Sequence, residues 1–109
     1  MITCCTRYEI DPFKADAFEE YARNRGQAIP RCGADLIGCF APHEGSATTA
    51  HGLYNVPDLA AYGAYRARPR DDPAGRANHE FARRERFMAK EGRIFLRLAS
   101  APRAPFVRP

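Results

Sequence analysis

Three histidines, His43, His51 and His79, have the ordinary pKa values nearest neutrality in this 109-residue chain, which makes them its first candidates for acid–base work. His43 stands beside Glu44 in a polar, glycine-bearing stretch and reads as a solvated turn residue. His79, between Asn78 and Glu80 on an amphipathic helical pattern, reads as exposed. His51 differs, because it sits between Ala50 and Gly52 in a small, apolar run expected to be a buried strand. A polar side chain in such a place must find a partner. His51 is expected to be either a satisfied structural histidine or part of a pocket between sheet and helices, with Tyr8 and Tyr54 as companions. No catalytic residue is identified outright, and His51 is the only candidate, as a general base or a hydrogen-bonding group. Gly38 and Gly52, in adjacent strands, either relieve crowding or leave room for a ligand.

Other chemistries find less support. Cys4, Cys5, Cys32 and Cys39 form no C-x-x-C pair, and no histidine stands near Cys32 and Cys39 at zinc-ligand distance. They read as reduced, buried small hydrophobes, and no metal or cofactor is expected. The sequence contains no nucleophile elbow, P-loop, dinucleotide fingerprint or H-E-x-x-H. It also contains no tryptophan. Net charge is +4, from 17 Lys and Arg against 13 Asp and Glu. The cluster Arg83, Arg84, Arg86 and Lys90 is interleaved with Glu80, Glu85 and Glu91, so it reads as a solvated helix face and no nucleic acid is expected.

These residues are positioned by one short domain, 1–100, followed by a proline-rich tail at 101–109. Ile2 to Ile10 alternates as a strand. Asp11 caps a helix that Pro12 opens, expected to run to about Ile29 and to end at Pro30. Phe13, Ala17, Phe18, Tyr21, Ala22 and Ala28 form its apolar stripe. Strands are expected at about Asp35 to Pro42 and Ala47 to Asn55, on either side of the turn His43 to Ser46. Pro57 and Asp58 open a second helix carrying Leu59, Tyr62 and Tyr65, which Pro69 interrupts. A third is expected from Pro73 to about Lys90, stopped by Gly92. Arg93 to Ala99 reads as the last strand.

The order βαββαβ is that of the ferredoxin-like fold: α+β, with helices on one face of a four-stranded antiparallel sheet. Phe95, Cys5 and either Ile37 or Phe40 are expected to give the other face apolar character. An apolar face on so small a chain favours a homodimer, sheet to sheet, the arrangement of a dimeric α+β barrel. No run approaches the roughly 20 apolar residues of a membrane span, and no membrane association is expected. The opening MITCC leads straight into a strand pattern without the features of a signal peptide, so a cytoplasmic location is expected.

Several stretches resemble the NIPSNAP family of dimeric α+β barrels. Tyr8-Glu9-Ile10-Asp11-Pro12 is similar to its opening strand, and Leu36-Ile37-Gly38-Cys39-Phe40 to its apolar-glycine-aromatic second strand. His51 with Leu53 and Tyr54 resembles its histidine-containing third strand. Asp72-Pro73 and Ala104-Pro105-Phe106 resemble later segments. Thr6 stands where that family commonly carries an arginine. The resemblance implies a homodimer of undefined activity that binds a small hydrophobic molecule or a protein partner through Tyr8, His51 and Tyr54. Related barrels include cofactor-independent monooxygenases and small isomerases. The alternative is therefore an enzyme of that kind, acting on a small aromatic or hydrophobic substrate.

Overall fold

The computed structural model describes residues 1–68 and 71–100. The tail expected at 101–109 and the helix-interrupting Pro69 lie outside the described residues. Four strands, β1 (Ile2–Ile10), β2 (Asp35–Phe40), β3 (Thr49–Val56) and β4 (Met88–Leu96), form one sheet in the order β2-β3-β1-β4. Every neighbouring pair is antiparallel. Helices α1 (Ala15–Arg31), α2 (Leu59–Ala67) and α3 (Pro73–Glu85) complete the expected ferredoxin-like α+β arrangement. No helix among the described residues is long and apolar enough to cross a membrane.

The alternation of β1 decides which side of the sheet is core. Cys4, Thr6, Tyr8 and Ile10 are buried under the helices, while Arg7 is exposed on the other side. β3 follows the same parity, with Cys4 opposite Tyr54 and Tyr8 opposite Ala50. The buried residues form two clusters. One gathers Cys4, Ile29, Cys32, Tyr54, Val56 and Tyr65. The other gathers Tyr8, Ile10, Phe18, Tyr21, Ala50 and Phe87. Phe87 is the hub of the second, with ring centroids 5.5 Å from Tyr21 and 6.0 Å from both Phe18 and Phe81.

Several boundaries differ from expectation. Asp11 does accept a hydrogen bond from the Phe13 N–H, at 2.9 Å, but the turn it caps is a short 3₁₀ segment, Pro12–Lys14, that precedes α1. Pro30 lies inside the last turn of α1, where its missing N–H leaves a single carbonyl to be satisfied otherwise. The helix ends at Arg31 with Cys32 as its C-cap, and the chain turns away at Gly33, whose φ of +97° suits a residue without Cβ. β2 stops at Phe40, short of Pro42. β3 starts at Thr49, because Ser46 Oγ accepts from the N–H groups of Thr48 and Thr49 and holds the turn together. α3 stops at Glu85, well short of Lys90. Arg86 adopts the left-handed conformation, with φ 53°, and its N–H caps the Ala82 carbonyl. The chain then enters β4, pinned by the Asp11 N–H to the Phe87 carbonyl at 2.8 Å. Gly92, expected to stop a helix, is instead a mid-strand residue opposite Arg7.

The last strand also turns its faces the other way. Phe95 lies opposite Cys4 and so faces the helices, where its ring meets Tyr62 edge-on at 4.8 Å. Ile94 lies opposite Cys5 and joins the open face. A bulge after Leu36 takes Ile37 out of register and leaves Phe40 opposite His51 on that face. Replacing Phe87, which is 0% exposed, by alanine is expected to cost about 3–5 kcal/mol in denaturant unfolding. A cost below about 1 kcal/mol would show that this ring cluster does not anchor the core.

Candidate functional site

The inner stripe of α1 contains a charge. Phe18, Tyr21 and Ala22 face the sheet, Ala28 and Ile29 continue that face, and Arg25 falls between them at helical spacing. Its guanidinium therefore enters the space between the two core clusters. Arg25 Nη1 donates to Tyr21 Oη at 3.0 Å, and Cζ lies 5.8 Å from the Tyr21 ring centroid. Arg25 Nε is buried without a hydrogen-bond partner. Ion pairs among the described residues engage Arg7, Arg31, Arg83, Arg84 and Arg93, but none engages Arg25. A buried cation without a carboxylate is costly. Arginine carries that burden better than lysine, because its flat, weakly hydrated guanidinium packs against aromatic faces.

The surroundings are built from all three helices. Asn78 on α3 is buried, and its Nδ2 donates to the Tyr21 carbonyl at 3.1 Å while its Oδ1 accepts from Asn24 Nδ2. An amide bonded at both ends cannot turn, so it holds α3 at a fixed height on α1. Tyr65 on α2 is buried, with its ring 5.0 Å from that of Tyr54. Together these elements enclose a cleft of about 170 Å³, lined by Tyr21, Arg25, Ile29, Tyr65, Asn78 and His79 among others. That volume is small against the usual pocket of roughly 300–1,000 Å³, but cavities of about 150 Å³ can hold a benzene ring.

The electrostatics single out one charge. Burial pushes the hydroxyls of Tyr8 and Tyr65 above the ordinary tyrosine value, and the nearby Arg25 only partly opposes this. Burial raises Tyr54 as well, helped by Cys4. Burial also works against the Arg25 charge, but the tyrosine oxygens around it, Tyr21 first, outweigh that and hold it above the ordinary arginine value. The cleft thus presents the neutral Tyr65 phenol and two arginines, Arg25 among the core residues and Arg66 exposed at the edge with its guanidinium over the Tyr62 ring.

The residues picked out from the sequence are divided by the sheet. Tyr8 and Tyr54 are buried on the helix side. His51 lies opposite Arg7 and Phe40 on the open side, half-buried, and does not reach the helix–sheet space. The expected pocket of Tyr8, His51 and Tyr54 is therefore not assembled within one chain, because a one-residue step along a strand reverses the face. Gly52 does make room: the Tyr8 ring packs over it, 3.5 Å from where a Cβ would stand. His79 is exposed, as expected, but sits among the residues lining the cleft, and His43 is exposed in its turn. The described residues contain no cluster able to hold a metal. Arg25, Tyr65 and Asn78 were not singled out as site residues by their sequence context, although a cation inside an apolar stripe was a visible sign.

Comparison with known proteins agrees with the architecture. The NIPSNAP family model matches residues 5–102. No curated protein matches the chain. Among solved structures, an uncharacterized NIPSNAP-like domain protein from Burkholderia xenovorans superposes with TM-score 0.73 at 24% identity, covering 99% of this chain and 95% of its own. A NIPSNAP family protein from Agrobacterium tumefaciens gives 0.74 at 20% identity, with 92% and 88% covered. A putative antibiotic biosynthesis monooxygenase from Nitrosomonas europaea gives 0.69 at 14% identity, with 92% and 100% covered. These likenesses establish a shared fold.

The raised phenols make a prediction about alkaline stability. Tyr8, Tyr54 and Tyr65 ionise less readily folded than unfolded, so their neutral forms favour the fold below the unfolded value of about pH 10. As pH climbs past that value, the unfolded chain loses protons that the folded chain keeps, and stability falls. Ultraviolet titration should show these phenols ionising together with the loss of helical circular dichroism. Smooth ionisation of every tyrosine in a chain that stays folded would contradict their burial.

Proposed function

Because the chain belongs to the NIPSNAP family, we propose that it is a small homodimeric binding protein that holds one small, largely hydrophobic molecule per chain in the helix-side cleft. The observation that carries this reading is the aromatic-walled cleft between α1, α2 and α3, which opens where the core divides. A domain packed throughout with hydrocarbon would have no reason to keep a guanidinium and an oriented amide between its helices. Tyr8 and Tyr54 contribute from beneath, Tyr54 through its ring contact with Tyr65 and Tyr8 as part of the cluster that includes Tyr21.

The open face of the sheet supports the dimer. Cys5, Leu53, Phe40, Ile94 and Leu96 lie on it, with Phe40 52%, Ile94 58% and Leu96 45% exposed. Contiguous apolar side chains on an antiparallel sheet are the usual mark of a face that another layer covers. A second copy of the same sheet supplies complementary rows by two-fold symmetry. His51 and Arg7 would then lie at the centre of that contact. A protein partner on this face is the competing occupant.

Catalysis by a cofactor-independent oxygenase or isomerase is the less favoured reading. It calls for a base in the ligand's own compartment, whereas His51 faces the opposite side of the sheet and His79 stands exposed at the cleft.

Both parts of the proposal are open to one set of solution measurements on the full chain. Light scattering at micromolar concentration is expected to give twice the 12.2 kDa chain mass, falling to the single mass in Ile94→Lys. Amide shifts caused by benzamide, a neutral single-ring probe, are expected to concentrate at Tyr21, Ile29, Tyr65 and Asn78. A monomer in the native chain would remove the dimer. Shifts centred on Phe40, His51 and Leu53 would move the ligand site to the sheet face.

A further inference from the structure

Arg25 is the feature of the cleft that the binding of a hydrophobic molecule leaves unexplained. We propose that the cleft is selective for an anion: a small molecule with one aromatic or apolar ring and a carboxylate, the carboxylate held by the Arg25 guanidinium and the ring packed against Tyr21, Ile29 and Tyr65. This rests on the binding reading above and specifies the class of ligand.

Three observations converge on it. First, the guanidinium lies in the cleft lining with Nε buried and unpartnered, while Nη1 is committed to Tyr21 Oη. A planar fork with one edge engaged and donors left over can still receive a carboxylate oxygen. Second, its charge is unmatched. Arg93 also has a buried, unpartnered Nε, but its Nη2 is 2.7 Å from Glu91 Oε1, so that cation is neutralised within the chain. For Arg25 no carboxylate among the described residues lies within ion-pair distance. The fold therefore carries a half-buried positive charge with no counter-charge among the described residues.

Third, no other group at the site offers a half-buried charge: Arg66 is exposed, with its guanidinium over the Tyr62 ring. Asn78 is bonded at both ends, to the Tyr21 carbonyl and to Asn24. The buried phenols of Tyr8 and Tyr65 stay protonated at neutral pH, so they bring oxygen dipoles but no negative charge to Arg25. A neutral ligand would leave the cation without a counter-charge. A carboxylate would pair it in a low-dielectric setting, where such a bond gains most. The volume of about 170 Å³ sets the size at a single ring rather than a fatty chain.

The test compares benzoate with benzamide, which have the same ring and nearly the same shape but differ in charge, on the full chain by amide shift titration. Benzoate is expected to bind at least roughly tenfold more tightly, as a charge-assisted hydrogen bond predicts. Arg25→Met is expected to abolish that preference, leaving benzoate and benzamide with equal affinity. Arg25→Lys, which keeps the charge but loses the planar fork, is expected to reduce it, and this variant decides the matter if Arg25→Met does not fold. Equal affinity for the two probes in the native chain would overturn the anion assignment and leave the hydrophobic cleft standing. So would an undiminished benzoate preference in either variant, or benzoate shifts confined to exposed arginines such as Arg83 and Arg84. Failure of both probes to perturb the cleft residues would overturn this inference and the binding reading together.

Discussion

Helix α1 has to bury its apolar stripe against the sheet with a guanidinium in the middle of it. That constraint accounts for much of the interior. A continuous core would strand Arg25 among hydrocarbon, so the buried residues separate into one cluster around Tyr54 and Val56 and another around Phe18 and Phe87. What lies between them is chosen to be compatible with a cation: the Tyr21 ring and hydroxyl, the Tyr8 and Tyr65 phenols, and an amide held at both ends. The cleft is the space left where two apolar packings meet around a charge that neither can absorb.

The sheet supports this from below. Gly52 lets the Tyr8 ring lie over β3 without a side chain to push it aside, and Ala50 is fully buried beneath the same cluster. On the far side the parity of β1 and β3 leaves Cys5, Leu53 and His51 facing outward beside Ile94 and Phe40. The two faces thus serve separate ends. The helix side holds a charged, aromatic cleft, and the open side carries exposed apolar side chains such as Phe40 and Ile94.

Much of this was legible from sequence. The bounds of β1, the element order and the ferredoxin-like arrangement follow from period-2 and period-3.6 patterning and from helix-opening residues such as Asp11 and Asp58. Boundaries failed where a less common device replaced the expected one. Pro30 stayed in the last turn of α1 because one lost N–H is tolerable there, and Arg86 ended α3 in a conformation more typical of glycine. Met88 continued the helical spacing of Phe81 although it opens β4. The site failed for a geometric reason. Tyr8, His51 and Tyr54 look like companions in a list, yet cross-strand register sends the histidine to the other face. Arg25 was visible as the interruption between Ala22 and Ala28, but its burial depends on α2 and α3 closing over it, which no local pattern encodes.

Everything proposed for the cleft depends on the Arg25 Nε–H being shut off from water. The most direct measurement is solvent exchange of the Arg25 Nε–H by NMR on nitrogen-labelled protein, assigned by its disappearance in Arg25→Lys. Exchange is expected to be much slower than for exposed arginines such as Arg83, with a resonance displaced by the neighbouring Tyr21 ring. Exchange as fast as that of Arg83 would show a hydrated side chain, and the charged cleft would not exist as described.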